Sequence, residues 1–233
     1  MTKNSNLKVS IIITAAGSSS RIGGGIKKEY LPLNKGTVLS NCANTFLNTC
    51  SQFKITDFII TCPDKGKQAC LEALKDFDYK SLGHTFKIVE GSQTRQKSVY
   101  NGLKAVANNP DLVLIHDGAR PFVTKDVILQ AVEGALQAGA AVPGVSPVDT
   151  QKEIDASGFI LRHLQRSMLT AVQTPQCFDF SRLLEAHKKA FENGKEYTDD
   201  TEIWGEYCGK VKVTLGDVNN IKITFPGDLE KLK

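Results

Sequence analysis

Val9-Ser10-Ile11-Ile12-Ile13-Thr14-Ala15-Ala16-Gly17-Ser18-Ser19-Ser20-Arg21 is the stretch on which the reading of the fold turns. Residues 9–14 form a short apolar, β-branched run, which predicts a strand buried on both faces of a parallel sheet. Two alanines, a glycine and three serines follow. Side chains this short let the backbone lie close against a ligand and leave main-chain N–H groups open to an anion. Arg21, Lys27 and Lys28 then add positive charge in the same loop. Open α/β sheets bind ligands at the carboxyl ends of their strands, so the stretch reads as a phosphate site at the end of the first strand.

Further along the chain, strands are predicted at 58–61, 86–89, 112–115 and 140–143. Between them apolar residues recur at helical spacing: Val38, Leu39, Cys42, Phe46 and Leu47; then Cys70, Leu71 and Leu74 behind a cap at Asp64; then Val99, Leu103 and Val106. Thr124 caps a fourth helix bearing Val127, Ile128, Ala131, Val132, Ala135 and Leu136, and Gly139 ends it. The alternation argues an α/β fold, a parallel sheet covered by helices on both faces.

The pattern breaks from about 147 to 170. Residues 148–152 and 159–161 flank Asp155-Ala156-Ser157-Gly158, a hairpin signal. With so few apolar residues this piece holds no core of its own, which fits an arm packed on another subunit or a solvated surface hairpin. Helical spacing returns at Leu183, Leu184, His187 and Phe191. A cap at 198–200 precedes Ile203 and Trp204, and 211–213 and 221–223 are late strand candidates.

The 233 residues fit one domain, 1–233, with the arm as an excursion. A net charge of +4, with scattered cations, does not suggest nucleic-acid binding. No stretch approaches the roughly 18 apolar residues that cross a membrane. Six cysteines occur without a C-x-x-C pair, and residues 1–8 are polar, so a cytoplasmic protein with reduced thiols is expected.

The fourth strand delivers Asp117 and Arg120 to the same sheet edge as the small-residue loop. A carboxylate facing cations and phosphates is what a magnesium–nucleotide site requires. Arg95 and Lys97 bracket another loop, where solvated side chains are the usual finding. Lys222 lies in an apolar triplet; inward it needs an anion, and outward it simply alternates. No G-x-x-x-x-G-K-[ST], G-x-G-x-x-G or G-x-S-x-G occurs, which argues against Walker-type, nicotinamide-binding and serine-hydrolase sites.

Six separated motifs carry a family resemblance: Ala15-Ala16-Gly17-x-x-x-Arg21, Lys28-x-Tyr30-Leu31, Gly91-x-x-x-Arg95-Gln96-x-Ser98-Val99, His116-Asp117-x-Ala119-Arg120-Pro121, Gln173-Thr174-Pro175-Gln176-x-Phe178 and Asn220-Ile221-Lys222-Ile223-Thr224. In this order the chain resembles the 2-C-methyl-D-erythritol 4-phosphate cytidylyltransferases of non-mevalonate isoprenoid biosynthesis. It departs from their pattern at Ser19, Ser92 and Gly118, each small for small, and at Gln165.

The resemblance implies a Rossmann-like sheet, a homodimer joined through the β-arm, and a Mg²⁺-dependent reaction of CTP with a polyol phosphate. It implies that Ala15, Ala16, Gly17, Gly91, Ser98 and Gly118 hold the nucleoside, that Arg21 and Lys28 hold the triphosphate, and that Asp117 meets both substrates and the metal. Arg120, Thr174, Thr198 and Lys222 are implied at the polyol-phosphate pocket, with Thr150 and Arg166 reaching into the partner's. Arg21, Lys28 and Lys222 are the catalytic candidates. Two other readings stand beside this one. One is a ribitol 5-phosphate cytidylyltransferase, whose family opens with Ala-Gly-Gly rather than Ala-Ala-Gly. The other is a nucleotide-binding regulator without catalysis.

Overall fold

A computed structural model describes residues 6–22, 25, 27–49 and 52–232; Cys50, expected as a reduced thiol, lies outside them. The first half of the chain forms β1 (Lys8–Thr14), the short pair β2 (Pro32–Leu33) and β3 (Gly36–Thr37), α1 (Val38–Thr49), β4 (Lys54–Cys62), α2 (Lys67–Ala73), β5 (Phe86–Glu90), α3 (Arg95–Ala105) and β6 (Leu112–Asp117). The second half forms α4 (Lys125–Ala138), β7 (Ala140–Val145), β8 (Lys152–Ile154), β9 (Ile160–His163), β10 (Ala171–Val172), β11 (Gln176–Asp179), α5 (Phe180–Glu192), α6 (Asp200–Tyr207) and β12 (Lys212–Leu215).

β5, β4, β1 and β6 lie side by side in parallel. β11 runs antiparallel between β6 and β7, and β12 joins β7 in parallel. β1 is central, and its alternating side chains feed two cores. Ile11 and Ile13 pack with Phe58 and Ile60 beneath Leu39 and Phe46 of α1 and Ile128 and Val132 of α4. Ile12 packs on the other face with Ile59, Val113, Val99, Leu103, Leu183 and Trp204. Burying each such side chain is worth about 1.5–3 kcal/mol, so an apolar run without polar interruption from 11 to 13 is stable only between two helical layers. α3 lies so close to β1 that a Cβ on Gly102 would stand 2.9 Å from Ile12 Cγ2.

The expected mostly parallel sheet with helices on both faces is present, and so is the hairpin. β8 pairs antiparallel with β9, and the Asp155 carboxylate accepts from the N–H groups of Ser157 and Phe159, each at 2.9 Å. Phe159, Ile160 and Leu161 are exposed there.

Several local expectations are corrected. Asp64 does not cap α2; the capping position is Gly66, with no side-chain bond. α3 begins at Arg95, earlier than the apolar stripe suggested, because the Thr94 side chain accepts from the Lys97 N–H. Phe191 is exposed rather than facing the core. Residues 221–223 form no strand; this segment is tied by the Ile223 N–H donating to the Ala119 carbonyl at 2.9 Å. The polar residues and Pro175 between Ala171 and Asp179 carry no strand pattern; β10 exists because it pairs with β7, and β11 because it lies between β6 and β7.

Candidate active site

Thr14 stands opposite both Thr61 and Asp117 in the parallel register, so β1, β4 and β6 end on one edge and their loops open together. Between them lies a cleft of about 720 Å³, lined by Ala16, Gly17, Ser18, Ser19, Ser20 and Arg21 on one side. Lys28, Asp117 and Lys222 line it as well, with Ser92, Thr94, Arg95 and Ser98 on the far wall.

One end of the cleft is built for close approach. A Cβ on Gly91 would meet the Ala16 methyl at 2.3 Å and Ser98 Oγ at 2.8 Å, so only glycine fits. Ser98 Oγ accepts from the Ser92 N–H at 2.9 Å and fixes that turn. Ala15 points into the core and donates its N–H to the Thr61 carbonyl at 3.0 Å. Gly118 donates to the Thr14 carbonyl at 2.9 Å, which brings β6's end against β1. Lys28 is buried; its ammonium lies below the usual lysine range because of desolvation and the nearby Lys222 and Arg21, with Glu29 opposing. Lys27 donates to the Gly17 carbonyl and pairs with Glu29 at 3.2 Å.

The other end is organised by Asp117. One carboxylate oxygen meets Arg95 Nε at 3.3 Å; the other meets Lys222 Nζ at 2.8 Å and Arg120 Nε at 3.5 Å. Burial alone would raise this carboxyl, but Arg95, Lys222 and Arg120 hold it well below the usual carboxylate range. Lys222 therefore has its anion within the chain, from a loop rather than from the strand expected of it. Arg120 also donates Nη1 to the Asn220 carbonyl at 2.7 Å, and Asn220 donates to the Thr174 carbonyl at 2.9 Å. These two bonds tie the Lys222 segment to the loop after β6 and to the turn that enters β11.

Thr174 Oγ1 accepts from the Asp117 N–H and lies 3.0 Å from His116 Nδ1. His116 Nε2 faces the Arg120 carbonyl at 3.1 Å, an acceptor, so Nε2 carries the proton and Nδ1 accepts from the threonine. Burial lowers the His116 value to about 4 from 6.5. A histidine lowered in the folded state contributes stability that is full above its unfolded value and is lost as pH falls towards the folded one. The loss here is on the order of 3 kcal/mol. The thermal midpoint should therefore drop between pH 6.5 and 4, and less steeply in His116→Gln; parallel curves for the two proteins would exonerate His116.

Thr150 and Arg166 sit exposed on and beside the hairpin and do not line this chain's cleft; Thr198 is likewise exposed, with its N–H on Glu202. Arg95 is the residue that the sequence left among solvated cations. The structure puts it between Asp117 and the buried Asp200. Its position at the first turn of a helix that starts on the cleft wall was the available signal.

Among the described residues no three His, Cys, Asp or Glu side chains gather as a metal site. Asp117 offers one carboxylate to a hard cation. That fits an ion that keeps substrate phosphates and water as its other ligands, and no more.

A small-residue loop opposite convergent cations, at the carboxyl edge of a mostly parallel sheet, defines a nucleotidyltransferase. The sequence model of 2-C-methyl-D-erythritol 4-phosphate cytidylyltransferase matches residues 9–232. The chain belongs to that family. It is 40% identical over 222 residues to the 2-C-methyl-D-erythritol 4-phosphate cytidylyltransferase of Clostridium botulinum (strain Loch Maree / Type A3), covering 95% of this chain and 94% of the relative. It is 39% identical over 223 residues to that of Caldanaerobacter subterraneus subsp. tengcongensis, covering 96% of each. The crystal structure of 4-diphosphocytidyl-2C-methyl-D-erythritol synthase from Anaerococcus prevotii superposes with a TM-score of 0.83 at 29% identity, over 97% of this chain and 94% of that one. The Thermus thermophilus cytidylyltransferase gives 0.77 at 30%, over 97% of each. Among the described residues no helix is long and apolar enough to cross a membrane.

Proposed function

We propose that the cleft joins CTP and 2-C-methyl-D-erythritol 4-phosphate as follows. The base lies at the narrow end against Ala16, Gly91 and Ser98, with the backbone of Ala15, Gly17 and Gly118 beside the ribose. Arg21 and Lys28 hold the triphosphate. Arg120, Lys222, Thr174 and Thr198 receive the polyol phosphate. A phosphate oxygen of the polyol attacks the α-phosphorus in line, the bond to pyrophosphate breaks, and CMP is left joined to the acceptor. Such a step calls for positioning and charge stabilisation, not a covalent nucleophile. Magnesium, which offsets phosphate charge, would be held by Asp117 together with the substrates' own oxygens.

The observation that carries this is the convergence of Arg95, Arg120 and Lys222 on one buried carboxylate, beside a loop too small to fill its own cleft. CTP-dependent pyrophosphate release tests it: turnover is expected with 2-C-methyl-D-erythritol 4-phosphate. Turnover only with ribitol 5-phosphate would transfer the chain to that substrate, and tight CTP binding with no release on any polyol phosphate would make it a regulator.

The same proposal includes a homodimer. Phe159, Ile160, Leu161 and Met168 are 73%, 53%, 62% and 78% exposed on and beside the arm, apolar area that a second copy would cover. Thr150 and Arg166 would then enter the partner's cleft. Arg166→Ala should raise KM for the polyol phosphate about tenfold and leave that for CTP within about twofold. A loss confined to CTP would remove the arm from the acceptor pocket.

A further inference from the structure

Asp200 does not line the cleft itself but lies behind Arg95, which does. It is fully buried, at the first turn of α6, and its two oxygens are both engaged. Oδ2 accepts from Arg95 Nη1 at 2.6 Å, and Oδ1 accepts from His187 Nε2 at 3.0 Å. His187 is itself buried in α5 and stacked on Tyr100. The Arg95 guanidinium thus forks between two carboxylates, Nη1 on Asp200 and Nε on Asp117.

The ion pair is not needed to dock its own segment. The neighbouring Gln96 does that with its amide, donating to the Lys195 carbonyl at 3.1 Å and accepting from the Tyr197 N–H at 2.9 Å. Asp199, not Asp200, caps α6, and Gln176 donates to Asp199 at 3.0 Å. A buried carboxylate is costly to keep unless its charge is paired, and Asp200 spends its charge on Arg95 of α3 and His187 of α5. The group in contact is Arg95, and what Arg95 reaches next is Asp117.

We propose that Asp200 and His187 are a positioning pair for the acceptor end of the cleft. They hold Arg95 back from the phosphates and against one oxygen of Asp117. The other oxygen is then kept for Lys222 and Arg120, whose charges are thereby spaced to receive the polyol phosphate. The inference rests on the assignment of Lys222 and Arg120 to that phosphate.

The test uses the full chain with CTP, 2-C-methyl-D-erythritol 4-phosphate and Mg²⁺. Asp200→Asn keeps the shape and removes the charge. It should raise KM for the polyol phosphate about tenfold and leave KM for CTP within about twofold. Because Asp200 acts through Arg95, the double variant Arg95→Lys/Asp200→Asn should be no worse than Arg95→Lys alone. His187→Phe should reproduce part of the Asp200→Asn effect, and Asp200→Glu should recover part of it. A lowered thermal midpoint with kinetic constants unchanged, or additive losses in the double variant, would overturn the proposal. Lys222→Ala separates the two layers. If it raises KM for CTP and not for the polyol phosphate, the acceptor-end assignment fails; if it behaves as assigned while Asp200→Asn leaves the acceptor KM untouched, only the positioning role fails.

Discussion

Lys28→Ala is expected to lower turnover about 10²–10³-fold while weakening CTP binding less than about tenfold. The lysine is buried at the mouth of the small-residue loop, with Arg21 and Lys222 as charged neighbours. Ground-state triphosphate can be held by several cations and by the loop's N–H groups, so the loss of one charge there is shared. Charge that develops on the α-phosphate during the displacement has no such reserve. An interaction stronger in the transition state than in the ground state appears in kcat and not in affinity. Single-turnover kinetics beside CTP titration checks this; an equal loss of affinity with turnover intact would make Lys28 a binding residue only.

Asp117→Asn is expected to act on stability as much as on activity. The carboxylate is 6% exposed and is shared by Arg95, Arg120 and Lys222. Removing one member of a buried ionic group leaves the others unpaired, at about 3–5 kcal/mol. In a chain of this size that lowers the thermal midpoint on the order of 10 °C. Arg95 keeps Asp200, but Lys222 and Arg120 lose their carboxylate and form an anion site, so pyrophosphate should raise the variant's midpoint more than the wild type's. Turnover should fall as well, because Lys222 and Arg120 lose the group that spaces them. A midpoint unchanged by the substitution, or an equal response of both proteins to pyrophosphate, would show that Lys222 and Arg120 are satisfied elsewhere.

The sheet was legible because its centre is written in local chemistry: residues 11–13 leave no polar face, and α4 is bounded by the Thr124 hydroxyl, which accepts from the Val127 N–H, and by Gly139, whose backbone takes a left-handed φ of 82°. The small residues of the narrow end of the cleft were legible for the same reason, since close approach of backbone demands them. What escaped depends on contacts between distant segments. Ala171 to Asp179 forms strands only because β7 and β6 offer partners, and its own residues argue for a loop. Arg95 looked like a solvated cation because Asp200, its partner, is 105 positions away. Lys222 was placed on a strand by its apolar neighbours, yet a few hydrogen bonds to Ala119, Arg120 and Thr174 hold that segment as a loop.

That last arrangement makes the two halves of the cleft unequal in their freedom to vary. The narrow end is welded to the sheet, where Ala16 and Ser98 leave no room for a methyl on Gly91. The lysine opposite travels on a strap that belongs to no ladder. It is held by separate bonds to Ala119, Arg120, Thr174 and Asp117 rather than by strand pairing, so its course can change while the register of β1 and β6 stays. A lineage built on this scaffold is thus free to vary how Lys222 is presented while the narrow end of the cleft stays fixed.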